Sequence, residues 1–284
     1  MIYAIVGALV IGLSLGVFGS GGSILTVPVL IYLLHHEPKV AIAESLAIVG
    51  SIALVACLLY ARDKLVDWRL AALFGLPGMA GTFAGSWVAG FVSGAVQLLV
   101  FAGVMAIAAV SMWKRSRPAR AVAEGPPAGA NASTPHATPR RASVPAAATQ
   151  GIGVGLMTGF VGVGGGFLIV PALVLVAGLA MRRAVATSLV IIAMNAATGL
   201  IKHHHALTDA GAEPAWGVIA LFVAIGIAGS FAGKALSGRL NQRALQRGFA
   251  VFLVAMAAFI LIRESLAWSS SLQAAPQSLQ GDQP

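Results

Sequence analysis

The chain has 284 residues and a formal net charge of +9, yet only 10% of its residues are charged and 58% are hydrophobic, with a mean hydropathy of +0.89. A soluble domain carries about 25% charged residues, so this composition excludes one: there is too little polar surface to face water. The positive charge belongs to loops, where it sets topology and meets anionic lipid, and nucleic acid is not an expected partner.

Reading from the N-terminus, the run MIYAIVGALVIG has no basic n-region and continues into a motif that recurs later, so it reads as mature structure and not as a cleaved signal. The motif spans Gly12 to Leu30 (GLSLGVFGSGGSILTVPVL) and returns as Gly155 to Leu173 (GLMTGFVGVGGGFLIVPAL), with 10 of 19 positions identical at an offset of 143. Ala71 to Gly90 matches Ile219 to Gly238 at 10 of 20 positions with an offset of 148. The chain is a duplicated unit, and a membrane protein with two such halves suggests a small-solute transporter whose site lies between them.

Each half opens with two apolar stretches, 2 to 34 and 151 to 178, hinged at Gly19-Ser20-Gly21-Gly22 and at Gly162 to Gly166. Pro28 or Pro171 follows, which predicts a helix starting inside the membrane with its proline in the first turn. The second arms, 24–34 and 167–178, are too short to cross a core about 30 Å thick at about 1.5 Å per residue. Each is read as a re-entrant hairpin; for the first, a broken single span stays open as the alternative. Three ordinary spans follow in each half, at 41–60, 70–91 and 95–113, then 184–202, 215–237 and 245–262.

The expected organisation is a first membrane repeat over 1–113, a disordered cytoplasmic linker over 114–150, a second repeat over 151–268 and a disordered tail over 269–284. Linker and tail are rich in Ala, Pro, Ser and Gln and cannot bury enough apolar area to offset chain entropy. Cys57, the single cysteine, lies in a span, so it forms no intrachain disulfide and reads as a packing residue.

Positive charge decides between the two topologies. A hairpin plus three spans inverts the second half and puts 14 basic residues on one side, including Arg62, Lys64, Arg69, Lys114, Arg115, Arg182, Arg183, Arg239, Arg243 and Arg247. Only Lys39, Lys202 and Arg263 fall on the other, with Lys234 snorkelling from a helix end. A parallel arrangement gives 11 against 6. Inversion fits the positive-inside rule better. The fold class expected is therefore an all-α polytopic membrane protein of two inverted repeats.

The paired stretch Gly-Gly-x-x-x-x-Val-Pro, the element Ala186-Thr187-Ser188-Leu189 with its counterpart Ala43-Glu44-Ser45-Leu46, and the segment GSFAGKALSGRLNQRALQRGFAVFLVAMA resemble the TauE/SafE sulfite exporter family. The resemblance covers both halves apart from the linker and tail. It implies a bacterial inner-membrane transporter of sulfite, sulfonates, thiosulfate or other small organic anions. Glu44 stands where the second copy has Thr187, which breaks any matched pair of hydroxyls at that position.

Independently of the family, glycine lets a backbone approach a ligand closely, and the free N–H groups of a helix N-terminus suit an anion. The expected substrate-binding residues are Gly19, Ser20, Gly21, Gly22 and Ser23 at one tip and Gly162, Gly164, Gly165 and Gly166 at the other. Ser45, Thr187, Ser188 and Asn195 are added from the spans, where polar groups face the bundle interior. Gly12, Gly16, Gly155 and Gly159, four residues apart within each half, suit helix packing instead. Glu44 is a candidate for coupling to a proton or sodium ion, against the alternative of a solvated interfacial carboxylate, and Asn195 serves equally as an interhelical hydrogen bond.

His203, His204 and His205 invite a metal-exporter reading, but three successive histidines on a helix cannot all face one ion. No metal, cofactor or catalytic constellation is expected. A membrane subunit that anchors partners through the basic linker is the other rival. From the charge count, a cysteine placed at Asn131 labels from the cytoplasm and one at His204 from the periplasm; labelling of both from one side overturns the inversion.

Overall fold

The computed structural model describes residues 2–89, 91–92, 94–116, 144–161, 166–209 and 215–274. Among these the chain forms ten helices: α1 (Ile2–Phe18), α2 (Gly21–Leu34), α3 (Pro38–Arg62), α4 (Trp68–Ala89), α5 (Gly94–Ser116), α6 (Val144–Val161), α7 (Ile169–Leu175), α8 (Met181–Asp209), α9 (Trp216–Arg239) and α10 (Gln242–Ala274). Four of them, α3, α8, α9 and α10, contain stretches long and apolar enough to cross a membrane. Leu54, Leu76, Phe83, Ile107, Val251 and Ile262 are all more than half exposed, so the outer surface of the bundle is as apolar as its core. That pattern suits lipid and not water. Trp68 and Trp216, at equivalent positions where α4 and α9 begin, are both exposed, as interfacial tryptophans are.

The helices overrun several expected limits. Residues 114–116 and 144–150, expected as linker, belong to α5 and α6, and α10 runs on to Ala274 in what was expected as tail. Apolar neighbours extend these helices: Met112 and Ala147 are buried near the two helix ends in question. The remainder of the linker and tail lies outside the described residues.

The first two helices fold back on each other. Gly19, at φ +76°, makes the turn; a methyl group on Gly7 would stand 3.0 Å from a Val29 methyl, and one on Gly22 would stand 2.6 Å from the Ile11 carbonyl oxygen. Glycines 21 and 22 thus enter the helix and do not remain in the hinge, because only hydrogen atoms fit against α1. Pro28 therefore lies inside α2, not in its first turn, whereas Pro171 does sit in the first turn of α7. The left-handed His35 ends α2 and the His36 N–H returns to the Leu30 carbonyl at 3.1 Å.

The two halves are interleaved. Helix α1 lies along α9 and α6 along α4, each pairing a first helix of one half with a later span of the other, while α3 packs on α8 and α5 on α10. The seams are glycine against backbone. A methyl group on Gly12 would overlap the Gly226 carbonyl, and one on Gly16 the Ser230 carbonyl; across the other seam Gly155 meets the Gly78 carbonyl and Gly159 that of Thr82. The four glycines assigned to packing from their spacing do that.

A pair of matched hydrogen bonds also crosses between halves. Thr187 Oγ1 on α8 accepts from the Asp67 N–H, the residue preceding α4, at 3.0 Å. Glu44 Oε1 on α3 accepts from the Ala215 N–H, the residue preceding α9, at 2.8 Å. Positions 44 and 187 are equivalents in the duplication, as are 67 and 215, so one latch is built twice with different side chains. Lys234 does more than snorkel: its ammonium donates to the Leu59 carbonyl at 2.7 Å and pairs with Asp63 at 2.8 Å, holding the C-terminal end of α3.

Two outcomes follow for stability. Gly155→Val forces a branched side chain into the α4 backbone and costs about 3 kcal/mol, whereas Gly153→Ala, with open space at its Cβ, leaves the unfolding midpoint unchanged. Thr187→Ala removes one latch and costs about 1 kcal/mol, and Thr187→Ser restores it. Thermal unfolding in detergent measures both; equal midpoints for Gly155→Val and Gly153→Ala contradict the seam.

Candidate functional site

The tip of the first hairpin is buried and polar. Ser20, the residue preceding α2, is fully buried, as are Gly21, Gly22 and Ser23 in its first turn. Helix geometry leaves the first N–H groups of α2 without intrahelical acceptors, and these groups carry the positive end of the helix dipole. Gly19 is pressed against α8: a Cβ there would stand 2.7 Å from Ser188 Oγ and 2.8 Å from the Val185 Cα, so the positive φ and the contact both require glycine.

Ser188 donates its hydroxyl to the Val185 carbonyl at 2.9 Å and reaches the Gly19 carbonyl at 3.4 Å. Ser23 donates to the Ser20 carbonyl at 2.7 Å. From the second half, Gly166 comes to the same place: a methyl group on it would stand 2.6 Å from Ile192 and 3.1 Å from Ser23 Oγ. The structure thus brings together Gly19, Ser20, Gly21, Ser23, Gly166 and Ser188. Gly162, Gly164 and Gly165 lie outside the described residues.

The other expected residues stand apart from this cluster. Asn195 lies two turns beyond Ser188 on α8, about 10 Å along the helix, where it faces α4 across Gly78, and its Oδ1 has no partner among the described residues. Its equivalent in the first half is Ile52, which faces Gly226 across the other seam, so the halves differ here by one polar group. Ser45 is buried and donates to the Ile42 carbonyl at 2.8 Å. Thr187 and Glu44 carry the two latches.

Glu44 is fully buried, in contrast to the solvated alternative weighed from its place near the end of a span. Its second oxygen lies 2.6 Å from His36 Nδ1, on a side chain that is 20% exposed. The carboxylate is therefore tied at once to the loop after α2 and to the start of α9. His203, His204 and His205 fall within α8, but their side chains are not among those described; no group of three or more His, Cys, Asp or Glu side chains that could hold a metal ion occurs among the described residues.

Ser14 was not singled out by sequence reasoning. It lies on α1, is 6% exposed, has no hydrogen-bond partner among the described residues, and its hydroxyl would be overlapped by a methyl group on Gly21. Comparison of the two copies hid it, because the second copy has Met157 at that position. The aromatic neighbours of the tip, Phe18 and Phe252, stacked with centroids 5.7 Å apart, were also invisible before α10 was seen to pack there.

Comparison with known proteins bears on the whole of this architecture. Over 268 residues the chain is 31% identical to a probable membrane transporter protein of Xylella fastidiosa strain 9a5c, covering 92% of this chain and 93% of that one. It is likewise 31% identical over 209 residues to the probable membrane transporter protein YunE of Bacillus subtilis, covering 68% and 76%. A probable membrane transporter protein of Methanocaldococcus jannaschii is 24% identical over 70% of the chain and 71% of its own length. No solved structure gives a significant match. The model of the sulfite exporter TauE/SafE family matches residues 4–260, almost the full set of helices described above, and the chain is therefore a multi-pass membrane transporter protein belonging to that family.

Proposed function

We propose that the protein moves a small anion across the bacterial inner membrane: sulfite, an organosulfonate, or a related sulfur oxyanion or carboxylate. Transport proceeds by alternating access between inverted halves, with the site at the glycine-rich tips. It is a carrier and not an enzyme. The observation that carries this reading is the approach of Gly166 to Ser23, which sets a segment of the second half against the buried N-terminus of α2. An N-terminus enclosed in this way is an anion site built from backbone dipoles, and membrane carriers place such broken helices at the interface between repeats.

The site consists of Gly19 to Ser23, Gly162, Gly164, Gly165, Gly166 and Ser188, with Ser45, Thr187 and Asn195 as further contacts offered as the halves exchange positions. Glu44 is the proposed coupling group. Its carboxylate, held by His36 and the Ala215 N–H, is the buried ionisable group best placed to change partners when a proton or sodium ion arrives.

Uptake of radiolabelled sulfite into proteoliposomes tests the proposal. Wild-type protein accumulates it and excess methanesulfonate competes, while Gly19→Ala, whose methyl group would meet Ser188 and the Val185 backbone, lowers the amount of folded protein and uptake with it. Absence of uptake of sulfite, sulfonates and carboxylates alike by folded protein overturns it, as does competition by divalent metal ions but not by anions.

A further inference from the structure

The hydroxyl groups around the first tip are not equivalent. Ser23 and Ser188 have committed their protons to the carbonyls of Ser20 and Val185. Ser14 and Ser20 have not: each is more than nine-tenths buried, and neither oxygen has a partner among the described residues. Ser20 precedes α2 yet forms no side-chain cap with it. Ser14 reaches in from α1 and lies against Gly21, the first residue of that helix. A buried hydroxyl without a partner is costly, by about 1–3 kcal/mol in proteins, and two beside the same helix N-terminus point to something that accepts from both.

We infer that the anion's hydroxyl donors come from one half only: Ser14 and Ser20 hold it together with the first-turn N–H groups of α2. The inference rests on the transport reading above and narrows it. At the equivalent positions the second half has Met157, Val163 and Gly166, none of which carries a hydroxyl, so the duplicated chain holds one such cradle and not two.

The ligand class follows from the donors. They come from α1, from the turn before α2 and from the first turn of α2, and are all neutral; the atoms nearest to a Cβ on Gly21 or Gly22 belong to Ser14, Phe18, Phe252, Ile11 and Leu15. An ion with two or more oxygens can accept from α1 and α2 at separate points, and its oxygens are stronger hydrogen-bond acceptors than a halide. The charge is met by the helix dipole and by hydrogen bonds to the charged acceptor, which are the stronger kind. Sulfite, a sulfonate and a small carboxylate all offer such acceptors, and chloride is the weaker one.

Ligand-induced thermal shift of the purified full-length protein, titrated with sulfite, methanesulfonate, acetate and chloride at constant ionic strength, tests it. The expected result is saturable stabilisation by the oxyanions and a smaller one by chloride at equal concentration. Ser14→Ala and Ser20→Ala each weaken sulfite affinity about tenfold, the loss of one hydrogen bond to a charged group. Ser20→Thr, which keeps the hydroxyl, retains affinity, and Thr198→Ala, about 15 Å along α8 from Ser188, retains it too. If Ser14→Ala does not fold, Ser14→Cys, a much weaker donor of similar size, takes its place with the same expectation. Wild-type binding that survives both serine substitutions, or equal stabilisation by chloride, overturns this inference and leaves the transport reading standing; no response of wild-type protein to any of the anions overturns both.

Discussion

In hydrocarbon there is no water to expel from between apolar helices, so what holds them together is close van der Waals fit and hydrogen bonding. The two glycine seams, α1 on α9 and α4 on α6, are where this protein meets that constraint. At Gly12, Gly16, Gly155 and Gly159 the absence of a side chain lets one backbone rest on another. Each seam joins helices from different halves, so neither half buries its own glycine face alone. The hairpin of α1 and α2, the crossing of α3 with α8 and the location of the first tip all depend on those contacts.

The latches show how duplication and divergence share the work. At one equivalent position a threonine receives the N–H before α4, at the other a glutamate receives the N–H before α9. Both satisfy a backbone donor that would otherwise be unpaired where a span begins. The glutamate keeps a second oxygen for His36, and so introduces an ionisable group into one half only. The same divergence is seen at Asn195 against Ile52 and at Ser14 against Met157: the packing glycines are repeated, while the polar groups near them are not.

The tip combines these features. Gly19 is forced to positive φ by the turn and denied a side chain by Ser188 and Val185, while Gly21 and Gly22 are drawn into α2 by their fit against α1. The N-terminus of α2 is consequently buried against another element instead of facing lipid, and the Ser14 hydroxyl of α1 reaches it.

Much of this was legible in the residues themselves. Composition alone made the chain a membrane protein, the offsets of 143 and 148 made it a duplication, and four-residue glycine spacing separated seam from tip. These features follow from local rules, that apolar runs enter lipid and that glycine marks close approach, and so need no knowledge of what packs where. The partners were not legible. Nothing in the sequence says that Gly12 meets Gly226, that Thr187 receives the N–H of Asp67 or that Ser14 faces Gly21, because each contact joins segments whose separation in the chain carries no information about distance in space. Spacing identified which glycines pack; only the interleaving of the two halves decided against what they pack, and with it which serines at the tip have no partner among the described residues.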